Sequence, residues 1–191
     1  MFSDYLKLGI DHILDPNGYD HILFVTVLCA LYKPDQWKKL IILVTAFTLG
    51  HSLTLALSSL DILSINPMFV EILIPITIII TGIYNIINVR MQTNGGSQLK
   101  WNYLLALAFG LIHGLGFSNY FKAILGRDND IISPLFAFNL GVESGQILIV
   151  GIIMALSFFF INIMKLNKKI WTTTVSVIGI LLAGTLLIEK L

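Results

Sequence analysis

The stretch IISPLFAFNLGVESGQILIVGIIMALSFFFINIM, residues 131–164, decides the fold class of this chain. It contains one ionisable side chain, Glu143, and most of its other residues are large and apolar. A membrane-spanning helix needs about 20 such residues, because the hydrocarbon core of a bilayer is about 30 Å thick. A helix that is apolar on all sides is buried in a membrane or in a large core. The sequence therefore predicts a transmembrane helix here.

The whole chain is also rich in apolar residues and poor in charged ones. Its 191 residues are 56% apolar and 12% charged, whereas soluble domains average about 45–50% and about 25%. The formal net charge of +1 provides no basic surface for nucleic acid, which is therefore excluded as a partner. Cys29 is the single cysteine, so disulfide frameworks and cysteine-based zinc motifs are excluded as well. Any metal ion must be held by nitrogen and oxygen ligands.

Five further apolar stretches flank this one and predict an all-α, polytopic membrane bundle of six transmembrane helices. The six predicted spans are Gly18 to Tyr32, Leu40 to Leu60, Pro67 to Val89, Trp101 to Phe121, Ile131 to Met164 and Trp171 to Ile188. Ahead of them, residues 1–16 carry apolar side chains at helical spacing, which predicts an interfacial amphipathic helix. We expect a single membrane domain over residues 1–191, with the six-helix bundle at 18–189 embedded in the lipid bilayer.

Basic residues are distributed unevenly among the joints between spans. The joints Lys33–Lys39, Arg90–Lys100 and Lys165–Lys169 carry three, two and three Lys or Arg residues, which makes eight of the 12 in the chain. Cytoplasmic loops of membrane proteins are enriched in Lys and Arg. We therefore predict that these joints are cytoplasmic and that both chain termini lie on the outer side.

Ionisable side chains within the spans are the strongest functional signal. Such a group at the centre of a bilayer costs at least about 2.5–3.5 kcal/mol unless it is paired. Because successive helices alternate in direction, counting along each span places all of these groups in one half of the membrane, opposite the basic joints. The set comprises Asp20, His21, His51, Glu71, His113 and Glu143. Five helices that bring histidine or carboxylate groups to one depth indicate a shared site.

Polar residues accompany these groups, since residues three or four apart share one side of a helix. We assign such residues, together with the carboxylate of the third span, to a substrate pathway or to the surroundings of the site. They are Thr48, Ser52, Glu71, Asn139 and Gln146. Each group taken alone also has a structural interpretation as a hydrogen-bonded packing residue. His12 and Asp11 most simply lie in solvent on the amphipathic helix.

Imidazole with carboxylate favours nickel, cobalt or zinc, whereas magnesium and calcium prefer sites made of oxygen. The first functional interpretation is a permease for a divalent transition metal, with its site in the outer half of the bundle. The alternative is an intramembrane zinc-dependent hydrolase, with three histidine ligands and Glu143 as general base. The third interpretation is a metal sensor or an assembly subunit that does not transport metal.

A short internal repeat links two of the histidine-bearing spans. Residues 47–52 read FTLGHS and residues 109–114 read FGLIHG, and each segment is followed one helix later by Val-Glu. The second and fourth spans run in the same direction, so this pattern predicts a parallel repeat.

The segment HILDPNGYDH, residues 12–21, resembles the His-spacer-Gly-x-Asp-His signature of the HupE/UreJ family. Residues 47–52, 109–117 and 138–143 are similar to further blocks of that family, so the resemblance covers nearly the whole chain. It implies a bacterial inner-membrane protein of about six helices for nickel or cobalt permeation, linked to metalloenzyme maturation. Metalloenzyme maturation proteins are then candidate partners, and the resemblance is compatible with an oligomer. Carried over by motif, the candidate metal ligands are His12, Asp20, His21, His51, His113 and Glu143.

Overall fold

The structure, a computed structural model, describes residues 2–91, 95–125 and 131–191. Within these residues it is helical and contains no strand, which confirms the all-α class. Its helices are α1 (Phe2–Leu14), α2 (Asp20–Ala30), α3 (Trp37–Ser59), α4 (Pro67–Met91), α5 (Gly95–Leu125), α6 (Ile132–Phe158) and α7 (Lys168–Glu189). A 3₁₀ turn at Pro34–Gln36 precedes α3, and a π turn at Phe159–Ile163 extends α6. Residues 92–94 and 126–130, which belong to two of the predicted joints, lie outside the described residues.

Five helices of the described chain, α3 to α7, are long and apolar enough to cross a membrane. The predicted span Gly18 to Tyr32 contains only the 11 residues of α2, which extend about 16 Å at 1.5 Å per residue. Six full-length spans are therefore not confirmed. Residues 15–19, DPNGY, are a non-helical break between α1 and α2, as expected for a segment rich in turn-forming residues.

Helices α3 and α5 pack side by side through their backbones. A Cβ atom on Gly110 would lie 2.1 Å from the Phe47 carbonyl oxygen, and one on Gly114 would lie 2.3 Å from the His51 carbonyl oxygen. Only glycine permits this approach, which is the usual role of small residues between membrane helices. Because Phe47 pairs with Gly110 and His51 with Gly114, the two helices are parallel, as the internal repeat predicted.

Helix α1 lies along the first half of α6. A Cβ atom on Gly9 would lie 2.1 Å from the Phe138 carbonyl oxygen, and one on Gly141 would lie 2.1 Å from the Leu6 carbonyl oxygen. Further along both helices, Ile13 packs on Gly145 and is fully buried. The helix predicted at the membrane interface thus packs one face on α6, with Gly9 and Ile13 buried, because an amphipathic pattern indicates an apolar face but not what covers it.

Helix α2 lies along the first half of α7 and runs in the opposite direction. The Thr172 hydroxyl donates to the Ala30 carbonyl over 2.7 Å, and Gly179 contacts Val27. Helices α1 and α2 therefore follow one another through the bundle, with residues 15–19 between them. We call the end of the bundle where α6 begins and α7 ends the terminus face, since α1 also begins there, and the other end the opposite face.

The outside of the bundle is apolar. Leu49, Phe136 and Leu181 are 62%, 64% and 66% exposed, and many other large apolar side chains of the long helices also point outward. Apolar patches of this extent do not face water on soluble monomers. The chain is a multi-pass membrane protein, and the buried polar side chains have to be explained by what lies inside it.

Candidate metal centre

Four histidines from four different helices meet inside the bundle. His12 comes from the end of α1, His21 from the start of α2, His51 from α3 and His113 from α5. The His21 ring is central, with its centroid 4.5 Å from that of His12, 6.1 Å from that of His51 and 5.1 Å from that of His113. The sequence predicted this convergence for His21, His51 and His113, and motif resemblance added His12. His12 does not lie in solvent: its ring also stands 4.0 Å from that of Phe117.

The ligand atoms of the cluster are close together. Within the described part of the chain, His12, His21 and His51 are the one group of three or more side chains whose candidate ligand atoms all lie within 4.8 Å of one another. Two nitrogens bound to one tetrahedral ion at about 2.0–2.1 Å are separated by about 3.3 Å. A small contraction of these three histidines around an ion is therefore sufficient, while His113 lies outside this group of three.

All four Nε2 atoms are buried and lack a hydrogen-bond partner among the described residues. A buried polar atom without a partner costs about 1–3 kcal/mol, and native proteins keep few of them. Four such atoms in one cluster need a common partner, and a metal ion satisfies imidazole nitrogens that carry a lone pair. The orphaned nitrogens therefore fit a metal ion.

Two of these imidazoles are already oriented for metal binding. The His21 Nδ1–H donates to the Asp20 carboxylate over 2.9 Å, and the His113 Nδ1–H donates to the Phe109 carbonyl over 2.9 Å. Because carboxylate and carbonyl oxygens only accept, the proton is on Nδ1 and the lone pair is on Nε2. This is the usual arrangement around metal-bound histidine. Asp20 thus acts as the orienting carboxylate of His21.

His51 has its own polar neighbour in Asn139 of α6. The Asn139 amide donates from Nδ2 to the Leu135 carbonyl over 2.8 Å, while its Oδ1 is buried without a partner, as is His51 Nδ1. Asn139 is therefore a polar neighbour of His51 with an acceptor atom that is free among the described residues. The predicted place of Asn139 beside the site agrees with this geometry.

The other two polar residues predicted on α6 are hydrogen-bonded to threonines of α3 and not to a histidine. The Thr45 hydroxyl donates to the Glu143 carboxylate over 2.6 Å, and the Thr48 hydroxyl donates to the Gln146 side-chain carbonyl over 2.8 Å. Glu143 is therefore outside the histidine group. Thr45 was missed as its partner because only the packing of α3 on α6 reveals it.

Ser52 is also hydrogen-bonded away from the cluster. Its hydroxyl donates to the Thr48 carbonyl, one turn earlier in the same helix, over 2.6 Å. The hydroxyls of Ser52 and Thr48 therefore donate to groups other than the histidines, and neither residue belongs to the histidine group.

A cavity of about 280 Å³ connects the histidines with the terminus face. Its lining includes His12, His21 and His113 and the four carboxylates Asp15, Asp20, Glu71 and Glu189. Lys190 lies at its rim, where its ammonium is 3.0 Å from the Glu71 carboxylate. The sequence singled out Glu71 and Asp20 but not Asp15 or Glu189, which lie outside the predicted spans and converge only through the fold.

The role of Asp20 can be tested directly. We expect Asp20→Ala to lower metal affinity about 10- to 100-fold, the usual cost of removing a group that orients a ligand. Asp11→Ala is the matched control, because Asp11 is exposed beside His12 in sequence and pairs with Lys7 instead. Isothermal titration of purified protein with nickel measures both variants. Equal affinities for the two variants would contradict the orienting role.

These features define a multi-pass helical membrane protein with a histidine-rich group suited to a transition metal. The chain belongs to the HupE/UreJ family, since the family model described as HupE / UreJ protein matches residues 1–189. The family relates the chain to nickel or cobalt handling, as uptake or as an accessory function. No curated protein and no solved structure matches the chain.

Proposed function

We propose that this protein is an uptake permease for a divalent transition metal of the nickel or cobalt type. The observation that carries the proposal is the cluster of four buried, unpartnered Nε2 atoms beneath an open acidic cavity. Imidazole nitrogen binds nickel, cobalt and zinc well, while magnesium and calcium prefer oxygen ligands. The metal is the cargo, and the histidines are its binding site along the route.

The acidic cavity supports entry of a cation. Asp15, Asp20, Glu71 and Glu189 line it, and Lys190 pairs with Glu71. Carboxylates in a cleft with low-dielectric walls focus a negative potential and raise the local concentration of cations. A dication that enters from the terminus face therefore meets oxygen groups first and the histidines at the bottom of the cavity.

The broken path of α1 and α2 supports a binding site at mid-depth. We infer that α1 and α2 together make one discontinuous crossing, with α1 in the half at the terminus face and α2 in the other half. This replaces the surface position predicted for residues 1–16. Transporters place substrate sites at such breaks, where half-helix ends and freed carbonyls face the ion. His12 and His21 flank the break on its two sides.

A zinc hydrolase is less well supported by the same site. Such an enzyme needs a carboxylate beside the metal-bound water. The carboxylate that the sequence offered for this role, Glu143, accepts a hydrogen bond from Thr45 and is outside the histidine group. Of the carboxylates that do line the cavity, Asp20 accepts from His21 and Glu71 pairs with Lys190. The permease requires no general base.

The membrane potential is sufficient to drive uptake. We propose that the terminus face is periplasmic in a bacterial inner membrane, in agreement with the bias of basic residues to the opposite joints. A dication that moves inward then gains about 4.6 kcal/mol at 100 mV, since each charge contributes about 2.3 kcal/mol.

The direct test is metal flux into proteoliposomes that contain the purified protein. We expect nickel and cobalt to enter at rates that rise with an inside-negative potential, while magnesium, the matched hard cation, does not enter. Metal analysis of the same preparation should find bound transition metal. Absence of flux in protein that binds nickel would reject the permease and favour an accessory role.

Orientation provides a separate prediction. In a Cys29→Ser background, a cysteine at Asn94 should stay unlabelled by an impermeant thiol reagent in intact spheroplasts. Asn94 itself lies outside the described residues and belongs to the basic joint Arg90–Lys100. Ile62→Cys is the control, because Ile62 is 68% exposed between α3 and α4 at the terminus face. Labelling of Asn94→Cys and protection of Ile62→Cys would reverse the proposed orientation.

A further inference from the structure

Three phenylalanines form a layer on the side of the histidines that faces away from the open cavity. Phe24 follows His21 by three residues in α2, while Phe47 and Phe109 precede His51 and His113 by four residues in α3 and α5. Residues at these spacings are one helical turn apart. Because α2 runs opposite to α3 and α5, all three rings lie on the same side of the histidines.

The rings of this phenylalanine layer pack against each other and against the metal centre. The Phe24 centroid lies 5.0 Å from that of Phe47 and 6.0 Å from that of Phe109. The His113 ring rests on the layer, with its centroid 5.4 Å from that of Phe24 and 5.0 Å from that of Phe47. Phe24, Phe47 and Phe109 are only 1%, 0% and 9% exposed. The three buried rings therefore form an apolar layer against the histidines.

A second, much smaller cavity lies directly beyond the layer. Its volume is about 20 Å³, and Phe24 and Phe109 form part of its wall. The residues with polar atoms that line it are Tyr32, Thr81, Tyr84, Asn85 and Asn102. We call it the inner chamber, because the layer is what separates it from the histidines.

The wall of the inner chamber is almost entirely apolar, and one side-chain oxygen in it, Asn102 Oδ1, has no partner among the described residues. The Asn102 amide donates from Nδ2 to the Tyr32 hydroxyl over 2.6 Å. Amide and hydroxyl oxygens hold nickel, cobalt or zinc more weakly than imidazole does. A weaker set of donors on the exit side is what conduction requires, since an ion must also be able to leave.

We propose that Phe24, Phe47 and Phe109 are the inner gate of the metal pathway, closed in this structure, and that the inner chamber is the first station beyond it. The inference rests on the proposed permease function. Apolar constrictions close ion pathways because water leaves them and a charge cannot cross without its hydration shell. The structure therefore represents a state that is open to the terminus face and closed to the opposite face.

The gate is tested by the side from which the acidic cavity can be reached. In a Cys29→Ser background, Ile74→Cys places a thiol in the wall of that cavity. A small cationic thiol reagent should label it from the periplasmic side only. Adding Phe24→Ala or Phe109→Ala should make labelling from the cytoplasmic side of inside-out vesicles at least tenfold faster. Nickel flux should rise several-fold in the same variants.

Controls keep failure of the gate separate from failure of the permease. Phe121→Ala removes an equally buried phenyl ring on the terminus side of the layer and should leave the sidedness of labelling unchanged. If the alanine variants do not fold, Phe24→Leu replaces them, and faster labelling from the cytoplasmic side is expected. One-sided labelling in all folded gate variants would overturn the gate, even if the parent protein transports nickel. Absence of flux in a parent whose gate variants do change sidedness would overturn the permease and retain the gate.

Discussion

His21→Ala is expected to lower the affinity for nickel or cobalt by at least about 10³-fold, because it removes one of the ligands that we propose, whereas loss of an orienting group costs about 10- to 100-fold. His21 is the ring that contacts each of the other three histidines. Without it, His12 and His113 no longer share a neighbour that brings their nitrogens to one ion. Uptake into proteoliposomes should fall to the level of empty vesicles.

The measurement is equilibrium binding of nickel to purified protein, with circular dichroism to verify the fold. Thr185→Ala serves as the control, since the Thr185 hydroxyl bonds only to a carbonyl of its own helix, that of Leu182, over 2.7 Å. This control should bind nickel like the parent. Near-parental nickel affinity of a folded His21→Ala protein would exclude the four-histidine centre.

The depth of the site could be predicted from the sequence, because a bilayer penalises ionisable groups and so makes each one conspicuous. His21, His51 and His113 were placed in one half of the membrane by counting residues along helices of alternating direction. The structure brings their rings together. The five long helices were also predictable, because the bilayer requires long apolar stretches and these stretches are visible in the sequence.

The packing partners could not be predicted, because they depend on which helix faces which. His12 reaches the site only because Gly9 and Gly141 let α1 lie against α6. An amphipathic pattern does not distinguish a membrane surface from a neighbouring helix as the partner of the apolar face. Glu143 was predicted on the same side of α6 as Asn139 and Gln146. Its partner Thr45 lies on another helix, 98 residues away in sequence, so the pair could not be predicted.

The break between α1 and α2 is another feature that could not be predicted from the sequence. The apolar stretch from Gly18 to Tyr32 predicted a short but continuous span, and the structure shortens it to Asp20–Ala30. In the discontinuous crossing that we propose, α1 supplies the missing length, although its charged face is typical of a surface helix. Sequence periodicity describes one helix at a time, so a crossing made of two helices is not visible in it.

Glycine contacts between α3 and α5 set the distance between two of the histidines, and this leads to the second large effect. We expect Gly110→Ala to destabilise the protein by about 1–3 kcal/mol, the usual cost of overpacking. The added Cβ would lie 2.1 Å from the Phe47 carbonyl oxygen, which is backbone and cannot rotate away. Helices α3 and α5 must therefore separate, and His51 and His113 separate with them.

Gly151→Ala and Gly184→Ala are the matched controls, because a Cβ at either glycine would meet no atom within 4 Å. Since alanine is favoured over glycine in a helix by about 1 kcal/mol, these controls should be neutral or slightly stabilising. Thermal unfolding in detergent, with and without nickel, measures both effects. For Gly110→Ala we expect a lower unfolding temperature and a smaller stabilisation by nickel, since ligands held farther apart bind the ion more weakly and binding to the folded state is what stabilises it. An unfolding temperature and a nickel shift like those of Gly151→Ala would show that α3 and α5 do not touch at Gly110.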